Sequence, residues 1–443
     1  MNNTYLQRKI DDELLRWKVS EHRKVVLLRG ARQVGKSSAV RKLGETFEYF
    51  VEVNIERDER EKNISAIFEK GFDVKRICKE LSQIYEIPIE PTKTLLFFDE
   101  IQNSIPVISS LRYFYEDMPD LHVIAAGSLL EFALEKVPSF GVGRIRSLFM
   151  YPFSYDEFIR ATGATILADA LRDATPETGF SNSSHHKCKQ LLLDFMYIGG
   201  MPEVVAKYME SNSLLECQTV LEDITQTFYN DFAKYKYRAN VSLLQEVFGA
   251  IIEQTGGKFT YNKASKTGNH LQIKECVELL EKAGLIYPVT HSSANGLPLS
   301  AEINRKIRKY LIFDTGIYNR FMKLNYNELS TERLEQVNRG ALTELFAGIE
   351  IMKSSAVNFP LSLYYWVREK TGSNAEVDYI VQQNKNIVPV EVKANTKGSM
   401  QSLFQFLTEK KQPFGIRCSM ENFGTMDKVK IYPLYAAGKI VND

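Results

Sequence analysis

Val25-Val-Leu-Leu-Arg-Gly-Ala-Arg-Gln-Val-Gly-Lys-Ser-Ser38 is the stretch that decides the fold. Val25 to Leu28 is an apolar run of buried-strand type. Gly30 follows, then four residues, then Gly35-Lys36-Ser37 at the start of a helix-forming stretch. This is the G-x-x-x-x-G-K-[ST] spacing in the strand-to-helix context that its chemistry requires. Glycines let successive backbone N–H groups curl around phosphate oxygens, and the following helix turns its positive N-terminal end toward them. Gly30, Ala31, Gln33, Val34, Gly35, Lys36, Ser37 and Ser38 are therefore the expected cradle for ATP. Within it, Lys36 is expected to reach the β- and γ-phosphates and the Ser37 hydroxyl to hold Mg2+.

Working outward, Thr94-Leu-Leu-Phe-Phe-Asp-Glu100 reads as a buried strand ending in two acids. Asp99 falls at the strand's carboxyl end, where open α/β sheets bind ligands. It is expected to hold the Mg2+ water shell, and Glu100 to polarise the water that attacks the γ-phosphate. Leu121-His-Val-Ile-Ala-Ala-Gly-Ser128 is another buried strand, whose Ser128 senses the γ-phosphate, orients the water or simply ends the strand. In Gly141-Val-Gly-Arg-Ile-Arg-Ser147, Arg144 or Arg146 is a candidate arginine finger, supplied in cis or by a neighbouring subunit, with a surface ion pair as the alternative.

Several of these strings together resemble one prokaryotic group, AAA-type ATPases fused to a C-terminal domain of unknown function. They are Arg32-Gln-Val-Gly-Lys-Ser37, Phe97-Phe-Asp-Glu-Ile-Gln102, Ala126-Gly-Ser128, Gly143-Arg144, Tyr151-Pro-Phe-Ser-Tyr-Asp-Glu-Phe158 and Tyr197-Ile-Gly-Gly-Met-Pro-Glu203. The resemblance implies a P-loop ATPase of the class with an added central strand and a catalytic Glu, which fits Glu100.

The chain has 443 residues, too many for one typical domain. With 44% hydrophobic and 25% charged residues it has the composition of a soluble globular protein. A net charge of +1 neither demands nor excludes nucleic acid. Cys78, Cys188, Cys217, Cys276 and Cys418 are scattered, with no C-x-x-C pair, which argues against a disulfide frame or a zinc site. No run approaches a membrane span and no apolar signal core opens the chain, so a cytoplasmic location is expected. Residues 1–22 read as an amphipathic helix around Ile10, Leu14, Leu15 and Trp17, packed on the ATPase core. Thr175 to Ser184 reads as an exposed loop. His185-His186 beside it lack Cys or acid partners at ligand spacing and are read as solvated.

Residues 240–325 read as helix, helix, helix and β-wing, a winged helix-turn-helix order. Between Lys234 and Lys274 lie seven basic residues (Lys234, Lys236, Arg238, Lys258, Lys263, Lys266, Lys274) against two acids, Glu246 and Glu253. That excess suits contact with a DNA backbone, the alternative being a packing scaffold.

The C-terminal part carries a second chemistry. Asn338-Arg-Gly-Ala-Leu-Thr-Glu-Leu-Phe346 starts a helix bearing Glu344, and Ala375-Glu-Val-Asp-Tyr-Ile-Val381 alternates as a strand bearing Asp378. Ile387-Val-Pro-Val-Glu-Val-Lys393 then places Glu391 and Lys393 on one face of a strand. Asp378 and Glu391, with Glu344 as a further ligand, are suited to hold Mg2+ or Mn2+ against a phosphodiester, and Lys393 to lower the pKa of a nearby water or stabilise charge on phosphorus, the alternative being a half-buried strand pair whose charged ends form ion pairs. The set resembles the core of the restriction-endonuclease-like PD-(D/E)xK nucleases. It departs from their pattern in having Glu376-Val377, not Pro, before Asp378.

The expected fold is mainly α/β in four parts: an AAA-type P-loop ATPase domain over 1–160, helices over 161–235, a winged helix over 236–330 and a nuclease-like domain over 331–443. The function these readings favour couples ATP hydrolysis to nucleic-acid binding and metal-dependent DNA cleavage, with ATP, DNA and further copies of the chain as partners. The alternative is a switch ATPase without nuclease activity, whose C-terminal half recruits a protein or binds DNA as a regulator.

Overall fold

The computed structural model describes residues 5–128, 130–135, 137, 143–235, 238–326, 339–369, 374–394 and 399–442. Gly141, Lys236 and Asn338, which enter the readings above, lie outside them. The chain divides into two units: residues 1–151 with 282–284 and 356–359, and residues 152–281, 285–355 and 360–443.

Among the described residues the first unit carries a five-stranded sheet, built from β1 (Val25–Arg29), β2 (Tyr49–Asn54), β3 (Thr94–Asp99), β4 (His122–Ala126) and β5 (Ile145–Phe149). Its order is β2-β3-β4-β1-β5 and each adjacent pair is parallel. Residues of β1, β3 and β4 are almost all buried, as expected for a parallel sheet covered on both faces. β4 lies between β1 and β3, with Ile124 opposite both Val26 and Phe97. That insertion is the added central strand expected from the resemblance.

The first helix is shorter than expected, Lys9–Lys18. Ile10, Leu14 and Trp17 are buried, whereas Leu15 is 46% exposed and belongs to the outer face. Trp17 also donates its indole N–H to the Lys24 carbonyl at 2.8 Å.

The second unit contains an eight-stranded mixed sheet among its described residues. The strands are β6 (Ile286–Ser292), β7 (Ile303–Ile312), β8 (Leu363–Val367), β9 (Glu376–Gln383), β10 (Asn386–Val392), β11 (Gly415–Ser419), β12 (Gly424–Met426) and β13 (Val429–Pro433). They run in the order β12-β13-β11-β10-β9-β8-β6-β7. The β6–β7 ribbon, expected as a wing, is part of this sheet: β6 pairs with β7 on one side and with β8, in parallel, on the other. The boundary expected at 330/331 therefore runs through one sheet. The reason is in β6 itself, whose Val289 to Ser292 are all buried and whose second backbone edge needs hydrogen-bond partners. Upstream of the ribbon stand the helix Val241–Glu253, a single 3-10 turn Tyr261–Lys263 and the helix His270–Lys282.

Two strings that carried the resemblance have structural work here. Ser154 and Glu157 form a capping box at the head of the helix Tyr155–Ala161, and Glu350 accepts from the Tyr155 N–H at 2.9 Å. In Tyr197-Ile-Gly-Gly-Met-Pro202, Gly199 has φ +75°, and a Cβ there would sit 2.2 Å from Asp314 Oδ1. The buried Asp314 carboxylate accepts from Gly200 N at 2.7 Å and Ile317 N at 3.1 Å. His185 and His186 lie within a helix, Asn182–Ile198, capped by Ser181, so the expected loop ends sooner than the composition suggested. Within it, His185 Nδ1 lies 2.7 Å from the Tyr435 hydroxyl.

Candidate functional site

At the carboxyl end of β1 the chain turns sharply. Gly30 has φ +148°, and a Cβ there would lie 2.1 Å from the Met150 carbonyl oxygen, so only glycine fits. Gln33 (φ 61°) and Gly35 (φ 95°) are also left-handed, which coils Gly30–Gly35 into a loop ahead of the helix Lys36–Gly44. Lys36 is buried at that helix's first turn and donates Nζ to the carbonyls of Gly30 (3.0 Å) and Ala31 (2.7 Å). Burial pushes its ammonium down to about 8, against the pull of Glu100 and Asp99. Ser37 Oγ donates to Asp99 Oδ2 at 2.7 Å, joining the loop's helix to the end of β3. Burial raises the Asp99 carboxyl, and the Ser37 hydrogen bond partly offsets it. Ser38 follows on the same helix, and Ser128 is buried just past β4.

Glu100 takes a left-handed φ of 53°, rare for a side chain of this size, which turns it off the strand axis. Its Oε2 accepts from Gln102 Nε2, and Gln102 Oε1 is buried against Gly127 without a partner. Gln102 stood in the quoted Phe97–Gln102 string, yet nothing in the spacing singled it out. Arg8 was likewise missed. It is buried ahead of the first helix and donates to Val34 O at 3.1 Å, within the loop, and to Tyr151 O at 2.7 Å.

Arg144 does not join this group. It precedes Ile145, the first residue of β5, which pairs with Val25 at the amino end of β1. A five-residue strand spans about 16 Å, so Arg144 stands at the sheet edge opposite Gly30. There it makes an ion pair with Glu116 at 2.6 Å. The arginine finger in cis is thus corrected. Arg146 fares no better, pairing in register with Val26 and in charge with Glu13.

In the second unit the sequence-expected acids do converge. β9 and β10 are antiparallel, with Val390 opposite Tyr379, so Asp378 and Glu391 follow one step on. Asp378 Oδ2 accepts from Val392 N at 2.8 Å, and Lys393 Nζ donates to Glu391 Oε1 at 2.6 Å. Glu391 Oε2 is buried and has no partner. Glu344, on the helix Arg339–Lys353, comes to the same place, but its partner is a residue the sequence reading passed over. Lys309 of β7, 1% exposed, donates to Glu344 Oε1 at 2.8 Å and forms an ion pair with Glu376.

Charge is short on the positive side. Burial and the neighbouring Asp378 push Glu391 up to about 7. Burial pushes Glu344 up to about 8, with Lys309 opposing and Asp378 assisting. Burial also raises Asp378, against Lys309. Lys309 itself loses from burial, yet Glu344, Glu376 and Asp378 outweigh that and hold the ammonium well above an ordinary lysine.

The two sites differ as homes for a divalent cation. Ser37 Oγ and Asp99 Oδ2 are adjacent oxygen donors beside the phosphate loop, a fit for Mg2+. At the C-terminal cluster the fit fails. Among the described residues no group of three or more His, Cys, Asp or Glu is spaced to hold a metal ion. The Lys309 ammonium is already paired with both Glu344 and Glu376.

Residues 22–159 match the family model of an AAA domain. Residues 189–328 and 339–437 match two domains of unknown function, DUF8612 and DUF4143. No curated protein matches the chain. Among solved structures, a Walker-type ATPase of Pyrococcus abyssi is 15% identical, covering 72% of this chain and 97% of that one, with a TM-score of 0.47. The Aeropyrum pernix ORC1 protein in complex with DNA is 12% identical over 71% of this chain and 91% of its own, with a TM-score of 0.29. Drosophila ORC bound to DNA is 15% identical over 73% and 88%, with a TM-score of 0.26. Scores this low assign no function. Among the described residues no helix is long and apolar enough to cross a membrane. The family match, the phosphate loop and the parallel sheet with its inserted strand together make residues 22–159 an AAA-type P-loop ATPase domain.

Proposed function

We propose that the chain is an ATP-driven switch that acts on nucleic acid, with the phosphate loop and the end of β3 as its hydrolytic centre. The observation that carries this reading is the 2.7 Å hydrogen bond from Ser37 to Asp99, which brings the loop's hydroxyl to the acid at the strand end. Backbone N–H groups of Gly30 to Ser38 receive the phosphates, and Lys36 gives up its loop carbonyls to meet them. Ser37 and Asp99 hold Mg2+, which when bound neutralises charge on the phosphates. Glu100, oriented by Gln102, takes the proton of the attacking water. Ser128, buried past β4 next to the phosphate-loop strand, reads the γ-phosphate. Arg144, at the far edge of its own sheet, is left to serve the site of a neighbouring copy in a homo-oligomer.

Support for nucleic acid comes from the middle segment. Lys258, Lys263, Lys266 and Lys274 are exposed on or beside the turn Tyr261–Lys263 and the helix His270–Lys282. Metal-dependent cleavage at Asp378, Glu391 and Lys393 is the rival reading: the unpartnered Glu391 Oε2 beside the Lys393 ammonium favours it, and the Lys309 ammonium on Glu344 and Glu376 opposes it.

The deciding experiment measures ATP turnover by the full chain, with and without duplex and single-stranded DNA, and follows the DNA by gel. The switch reading expects turnover that DNA changes severalfold, DNA affinity that falls steeply with salt, and uncut DNA. DNA cut in Mg2+ or Mn2+, and spared by Glu391→Ala, would move the assignment to the nuclease. No turnover under any condition would remove the hydrolytic centre.

A pH dependence follows from Lys36. Only its ammonium pairs with phosphate, and in the free protein that form is lost as pH rises through about 8. ATP affinity should be flat below that pH and fall about tenfold by one unit above it. Lys36→Arg should abolish the bend, and a wild-type profile that stays level through pH 9.5 would contradict the assignment.

A further inference from the structure

The acids around Asp378 resemble a metal centre in sequence, but in space they are built around an ammonium. Lys309 reaches them from β7, which is separated from β9 by two strands, β6 and β8. Its side chain is 1% exposed, 2.8 Å from Glu344 Oε1, in contact with Glu376, and 5.0 Å from the centre of the Tyr365 ring. The cluster it belongs to holds four carboxyl groups (Glu344, Glu376, Asp378, Glu391) and, besides Lys309, one further ammonium, Lys393. Each ammonium already sits on a carboxylate oxygen that a divalent ion would need, Lys309 on Glu344 and Lys393 on Glu391.

We infer that Lys309 is the resident cation of this cluster, a tethered ammonium that fills the place of a divalent ion and keeps the wild-type site closed to metal. A divalent ion bound between Glu344 and Glu376 needs oxygen at roughly 2.0–2.6 Å on every side, which the lysine Nζ denies it. Displacing that Nζ would leave a second buried positive charge without partners, a cost no exposed lysine carries. The tether also keeps the competitor always at hand, so raising metal concentration has little leverage. The inference does not depend on the ATPase reading. It makes the fate of the C-terminal site turn on one residue of the ribbon, outside the 339–437 match.

The test uses the full chain without nucleotide and measures free Mn2+ by electron paramagnetic resonance during titration. Wild type should show no Mn2+ site that Glu391→Gln removes. Lys309→Met should gain one Mn2+ per chain, at least about tenfold tighter than any wild-type site, with binding that also raises its unfolding temperature. Lys309→Met/Glu391→Gln should lose the gain, and Lys309→Arg should stay as closed as wild type. A wild-type Mn2+ site abolished by Glu391→Gln overturns the inference, as does a folded Lys309→Met that ignores Mn2+. Should Lys309→Met not fold, the wild-type arm decides alone: absence of a Glu391-dependent site supports the inference and its presence sinks it. DNA cleavage is not part of the readout, so failure of the nuclease reading is seen separately.

Discussion

Glu100→Gln should leave ATP binding intact and slow turnover by roughly 10²- to 10⁴-fold, the range a positioned general base supplies. The side chain keeps its shape and its neighbour Gln102, so the loop, Lys36 and the Ser37–Asp99 contact are untouched. Only the proton-accepting oxygen is lost. Lys36→Ala acts one step earlier. It removes the one buried ammonium among the loop's residues and should weaken ATP binding itself, so no turnover is recovered at high ATP. The pair separates binding from chemistry: nucleotide titration for the first quantity, phosphate release at saturating ATP for the second. Arg144→Ala is the control for placement. A drop in binding to the protein's own loop would contradict the far-edge position read from the Ile145–Val25 pairing. Normal turnover in Glu100→Gln would move the base elsewhere.

The legibility of these features in the sequence follows from how local each one is. The phosphate loop is local: glycines, lysine and serine lie within one turn of chain, and their φ angles follow from residue type. Asp99 was found because a buried apolar strand in an α/β protein has its functional end at the carboxyl side. The same rule applied to Arg144 would have placed it at the wrong end, since it stands before its strand instead of after it. Glu391 and Lys393 needed only the two-residue repeat of a strand, and their 2.6 Å contact follows from it. Lys309 had no such handle. In Ile303-Asn-Arg-Lys-Ile-Arg-Lys-Tyr310 it looks like one more charge on a solvated ribbon. Its burial comes from the parallel pairing of β6 with β8, a contact between segments that no local pattern announces. The place of the β6–β7 ribbon beside β8 was hidden for the same reason.

Lys309→Met should therefore cost about 3–5 kcal/mol, the usual loss when one partner of a buried ion pair is removed. Methionine fills most of the volume, so little of the effect is a cavity. What is lost is the charge that offsets the buried Glu344 carboxyl and its neighbours Glu376 and Asp378. The sign with pH is fixed. Burial and the neighbouring Asp378 already raise the Glu344 carboxyl, with Lys309 opposing, so the folded state binds its proton more tightly than the unfolded chain does. That contribution is complete below the unfolded value and is lost as pH rises through the folded one. Without the ammonium the folded value climbs further, so the deficit against wild type should widen from pH 5 to pH 8.5. Lys309→Arg keeps the charge and should recover part of the loss, whereas Glu344→Gln in the Lys309→Met background should recover some by removing the orphaned acid. Urea unfolding of the second unit, followed at both pH values, reads all three. A Lys309→Met variant within about 0.5 kcal/mol of wild type at pH 8.5, the range of an ordinary surface change, would show that the acids are solvated and that no internal cation is needed.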